Sequence, residues 1–236
     1  MVESKSSLVC SKVVIDNKDA EVEFRKAVLD MKSNAAVVQD SVIQNIKMDP
    51  VGSEQVVSIV GETIGESSIV LEGVQILSVE DVKLAASSET VNTHLLRAEA
   101  KSVKLSSLDL QDISVTSGLA IESEGKMELT NLKLTGTKNN LRKGLLKMNG
   151  GAVSITDSSF ENISIDPVSE ELLLESKGSK LDVQNLSMTN IVNTKVRDQT
   201  QTQTSQLWKI NHDTITLAAV TLDTLELTSG MEMTAE

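Results

Sequence analysis

Few side chains in this sequence could do chemistry. Asp109 stands three residues before Asp112, and Asp157 four before Glu161. Polysaccharide lyases and hydrolases need such carboxylate pairs, or an Asp beside Arg or Lys, on one face. Here both pairs fall on outward strand or corner positions, where the plain reading is solvated carboxylates. His94 and His212 are the only histidines. A two-His metal site would need them close together with a carboxylate, and they lie far apart along the chain. Cys10 is the only cysteine, which excludes an intrachain disulfide and a thiolate zinc site. The glycines of "VVSIVGETIGESS" lack the G-x-x-x-x-G-K spacing of a phosphate loop. Trp208 alternates with Ile210 and reads as core. No cofactor and no metal is expected. Asn162-Ile-Ser164 and Asn185-Leu-Ser187 fit the glycosylation sequon, so Asn162 and Asn185 are candidate modification sites on a eukaryotic secretory route.

The elements that carry these residues follow from a repeat. The stretch "VSITDSSFENISIDPV" sets Val153, Ile155, Ser158, Phe160 and Ile163 in the pattern Φ-x-Φ-x-x-Φ-x-Φ-x-x-Φ. Seven further copies begin at Leu8, Ala36, Ile69, Val103, Met127, Leu181 and Ile215. Of the 40 template positions 36 are apolar, where a 39% apolar composition puts about 16. Φ-x-Φ has the period of a strand with one buried face. The two residues that follow shift the phase, so the chain turns a corner there. Two short strands joined by a corner cannot bury their face alone, so each copy must stack on the last.

A third strand per copy is expected from the alternations Ala27, Leu29, Met31; Leu96, Ala98; Leu146, Met148; Leu172, Leu174; and Trp208, Ile210. The residue before the last Φ is Asn45, Asp112, Asn162, Asn190 or Thr224 in five copies, and such residues suit corners. The segments "IKMDPVGSE" and "ISIDPVSEE" form a second repeat and hold both prolines, Pro50 and Pro167, where the chain leaves the sheet.

The expected fold is therefore all-β: one single-stranded, right-handed parallel β-helix over residues 1–236, a solenoid of about eight coils. It is expected to be a segment of a longer chain. Residues 136–144 and 193–206 are the longest polar insertions, and loops carry function on rigid scaffolds. Asn139, Asn140, Arg142, Lys143, Lys195 and Arg197 are the candidate binding residues within them.

Composition narrows the function further. The net charge is −12, which argues against nucleic acid and against anionic lipid. No apolar run reaches the ~18–20 residues of a membrane span, so no membrane insertion by this segment is expected. The start, "MVESKSSLVC", lacks the basic and apolar regions of a signal peptide. The compartment is then undetermined, with the cell surface or extracellular space favoured if this is a piece of an exported chain. One Trp, two Phe and no Tyr leave little for the aromatic platforms of sugar sites.

The stretch "GGAVSITDSSFENIS" resembles repeats of β-helical, pectin-lyase-like surface proteins, among them the chlamydial polymorphic outer-membrane proteins and large repeat proteins of protists. Gly150, Gly151 and Ala152 match the GGA motif of that family. Phe160–Asn162 is F-x-N where the family has F-x-x-N. The resemblance implies a secreted or surface-displayed structural or adhesive segment. Its expected role is non-catalytic presentation of loops to a protein or cell-surface partner, or to further copies of itself. The alternatives are a polysaccharide-active β-helix enzyme and a scaffold that polymerises end to end through uncapped strand edges.

Overall fold

The computed structural model describes residues 2–4, 6–18, 23–84, 91–167, 171–194 and 204–235. Among them every element is a strand, apart from one short 3-10 turn at Ile64–Glu66. The strands form one hydrogen-bonded sheet, and all their recorded pairings are parallel. Partners lie one repeat apart in sequence, so like positions of the template become neighbours.

The registers sort the chain into three ladders. In the first, Cys10, Val38, Leu71, Leu105, Leu129, Ile155, Val183 and Leu217 are successive rung partners. The second ladder carries Ile15, Ile43, Ile76, Leu110, Leu134, Phe160, Met188 and Leu222 in the same way. The third carries Leu29, Val57, Leu96, Leu119, Leu146, Leu174, Trp208 and Met231. Away from the first and last repeats these columns are buried and belong to one apolar cluster. Each fully buried aliphatic side chain contributes about 1.5–3 kcal/mol. Rung-by-rung repetition lets Val, Ile and Leu fill the interior with almost no rings.

The corners explain how a strand can bend without ending. The fifth template residue has φ near +50 to +62° in every repeat: Lys12, Asp40, Gly73, Ser107, Asn131, Asp157, Asn185 and Ala219. The tenth is left-handed in seven of the eight: Asn45, Ser78, Asp112, Gly136, Asn162, Asn190 and Thr224. One left-handed residue reverses the phase of the alternation and turns the strand. The strands Leu146–Ile165, Glu171–Asn193 and Ser205–Glu226 thereby run through corners and contribute to all three ladders. Asn tolerates this region and bonds along the column: Asn190 Nδ2 donates to Asn162 Oδ1 at 2.8 Å, and Asn185 Nδ2 to Asp157 Oδ1 at 2.8 Å. Replacing Asn190 by Ala loses that bond and leaves a Cβ at φ 54° without the amide that lets Asn tolerate it. The expected cost is about 1–2 kcal/mol in urea unfolding. Asn190→Gly, which relieves the backbone, should cost less than Asn190→Ala.

Two expectations about the insertions need correction. Residues 136–144, read from the sequence as one polar insertion loop, are not a continuous loop. Asp112 Oδ1 accepts the backbone N–H groups of Thr137 and Lys138, at 2.9 and 3.2 Å, and pins the insertion to the preceding repeat. The strand Asn139–Leu141 then rejoins the ladder. Asn139, and not Thr137, completes the interior column between Ile113 and Ile163. It is 1% exposed, so Asn139 is no binding residue. Its amide is tolerated inside because it is satisfied: Oδ1 accepts from Ile113 N, while Nδ2 donates to the carbonyls of Thr135 and Glu161. In the second insertion Asn193 and Ser205 are buried and bonded to each other at 2.8 Å. Lys195 and Arg197 lie outside the described residues.

The third ladder has strands that the alternation alone did not reveal, at Ser53–Val60, Ser117–Thr130 and Ser229–Thr234. The corner between the third and first ladders holds Gly125, Gly151 and Gly178 in successive repeats. A Cβ on Gly178 would lie 1.7 Å from the Gly150 carbonyl oxygen, and one on Gly151 2.6 Å from that of Gly125. The GGA motif is thus one level of a corner where backbones approach too closely for any side chain.

Candidate binding groove

Outward positions of the third ladder build the site. One column reads Asp30, Ser58, Arg97, Ala120, Lys147, Glu175, Lys209, Glu232. Long charged side chains rise on either side of Ala120, whose methyl leaves a hollow. The result is a groove of about 350 Å³ across repeats four to seven. Its lining includes His94, Ser117, Leu119, Ala120, Lys143, Gly144, Leu146, Lys147, Glu171, Leu172 and Glu175. Rung partners such as His94 and Ser117 sit on paired strands, so that part of the lining is preorganised.

Some of these charges are spent on one another. Lys147 pairs with Glu175 at 3.3 Å, and Arg97 Nη2 with Glu99 Oε2 at 2.6 Å. Glu99 is the rung partner of Glu122. Partial burial and a hydrogen bond shared with Glu99 raise the Glu122 carboxyl above the usual carboxylate range. Burial, then the nearby charges of Lys143 and Arg97, lower the His94 imidazole below its ordinary value. His94 Nε2 lies 3.1 Å from Ser53 Oγ, which in turn donates to Asn92 Oδ1 at 2.8 Å.

The other sequence candidates are dispersed. Asp112 and Asp157 are corner residues, occupied by backbone N–H groups or by Asn185. Asp109 accepts from Gln111 at 3.1 Å. Asn140 is exposed on its short strand, and Arg142 Nη1 donates to the Leu84 carbonyl at 2.8 Å. Of the residues proposed for loop binding that the structure describes, Lys143 alone lines the groove. Asn162 and Asn185 are exposed, but both amides take part in corner hydrogen bonds. His212 is separated from His94 by four repeats and is 1% exposed, with Nε2 2.5 Å from Ser176 Oγ; burial lowers its pKa. Trp208 is core, also 1% exposed. Among the described residues no three His, Cys, Asp or Glu side chains cluster as a metal site would require, and no helix is long and apolar enough to cross a membrane.

Lys147, Ala120 and the Glu99–Glu122 pair were missed in the sequence. The signal was the x of each third-strand Φ-x-Φ, where charge gives way to Ala at one rung. A scan of family models, a search of curated proteins and a search of solved structures each return no match to this chain.

Proposed function

We propose that the three ladders are the walls of a right-handed parallel β-helix of eight coils, and that this helix is a non-catalytic binding rod of a surface protein. Parallel strands joined in sequence favour the right-handed crossover. The in-register columns from Val38 to Val183 support the helix, because only stacked coils give each repeat the same neighbours. The pectin-lyase-like and chlamydial resemblance rests on the GGA corner and the repeat.

One observation carries the binding role: a groove on a rigid wall, with side chains from adjacent repeats converging on it. Its partner is a protein or a cell-surface group rather than nucleic acid, given a net charge of −12. The test is binding of the purified chain to arrays of extracellular proteins and cell-surface glycans. Ala120→Arg fills the groove from an outward position and should weaken binding at least ~10-fold without lowering the melting temperature. Absence of any binder, or indifference to Ala120→Arg, contradicts the reading.

A second reading is a polysaccharide-active enzyme. The Glu99–Glu122 rung pair beside Arg97, with the Glu122 carboxyl raised above the usual carboxylate range, favours it. New reducing ends released from a polysaccharide, and lost in Glu122→Gln, would establish it.

A further inference from the structure

We propose that the end of the groove between His94, Ser117 and Lys143 binds an oxyanion carried by the partner, a carboxylate or a sulfate or phosphate ester, together with a proton on His94. This rests on the groove being the binding surface. Three polar groups there are unspent among the described residues. Lys143 has no ion pair, the Ser117 hydroxyl no hydrogen bond, and His94 uses only Nε2. Of the two carboxylates in the groove lining, Glu175 is paired with Lys147, and Glu171 is the one that an oxyanion must keep clear of.

The hydrogen-bond chain fixes the imidazole tautomer. Asn92 Oδ1 can only accept, so the Ser53 hydroxyl hydrogen points to it. Ser53 Oγ is then the acceptor for His94 Nε2–H. Neutral His94 therefore carries its lone pair on Nδ1, and a proton added there makes Nδ1 a donor. Burial first, and then the charges of Lys143 and Arg97, oppose that proton. The groove's remaining charges are Lys147 and the carboxylates Glu171 and Glu175. An oxyanion beside Lys143 offsets the cations and accepts from Ser117 Oγ, Lys143 Nζ and the new Nδ1–H. By linkage it raises the His94 pKa, and its own affinity rises as pH falls.

The chain has two histidines, so imidazole NMR reads the site with its own control. Inorganic phosphate, sulfate and acetate are titrated separately. The expected result is a saturable shift of the His94 signals with the His212 signals unmoved, and tighter binding at about pH 5.5 than at about pH 7.5. Lys143→Met should weaken it at least ~10-fold, and Ser117→Ala less. The order among the three ions tells which oxyanion the site prefers. The proposal is overturned if no ion shifts His94 saturably, if Lys143→Met has no effect, or if affinity does not rise with acid. A partner lost on Ala120→Arg but indifferent to Lys143→Met would overturn the oxyanion site alone and leave the groove standing.

Discussion

Leu105→Asp should abolish folding, while Lys104→Ala, one residue earlier on the same strand, should leave stability within about 0.5 kcal/mol. Leu105 is fully buried between its rung partners Leu71 and Leu129. A carboxylate there meets aliphatic side chains above and below and no cation. An unpaired buried charge costs several kcal/mol beyond the lost apolar contact. Single domains have about 5–15 kcal/mol in total. Leu105→Ala, which leaves a cavity but no charge, should cost about 2–5 kcal/mol and still fold. Lys104 is exposed and points outward, so its loss removes little. Circular dichroism in urea separates the three outcomes. Equal effects at 104 and 105 would mean that the two faces are not distinguished.

Gly178→Val should be nearly as damaging, although it adds apolar atoms. The new Cβ would fall 1.7 Å from the Gly150 carbonyl oxygen and 2.8 Å from that of Gly151. Both obstacles are backbone, so the corner must open and the rungs of repeats six and seven must part locally. Overpacking alone costs about 1–3 kcal/mol, and here ladder bonds are lost as well. Gly230→Val is the control, because nothing lies within 4 Å of its Cβ. A thermal melt should show a large drop for the first and almost none for the second.

The fold was legible because the repeat is periodic in what it buries. The Φ-x-Φ-x-x-Φ spacing encodes both the strand faces and the corner between them, and the columns follow once copies are stacked. The first left-handed corner escaped notice. Its residues are as varied as Lys12, Ser107 and Ala219, beside Asp40, Gly73, Asn131, Asp157 and Asn185, which carry a turn signature. Asn139 misled because its amide occupies an apolar column, a substitution that three specific hydrogen bonds permit and composition does not announce. The groove was less legible still. It depends on which outward side chains from distant segments become rung neighbours, as Ala120 does with Arg97 and Lys147. Lys143 was chosen for its polarity, and it lies on the short bend between Asn139–Leu141 and Leu146–Ile165, where it joins the groove lining.

The stacking of repeats is tested most directly by distances between spin labels on one outward column of the first ladder. Val9, Val37, Val70, Lys104, Glu128, Ser154, Asp182 and Thr216 succeed one another there. With Cys10 replaced by Ala, labels are attached to cysteines at chosen pairs and measured by pulsed dipolar spectroscopy. At about 4.8 Å per rung, the pair at 37 and 182 should read about 24 Å and the pair at 9 and 216 about 34 Å. Distances that grow in proportion to rungs crossed, whatever the length of chain between, are the expected result. Distances that follow sequence separation instead, or one broad distribution for every pair, would contradict it.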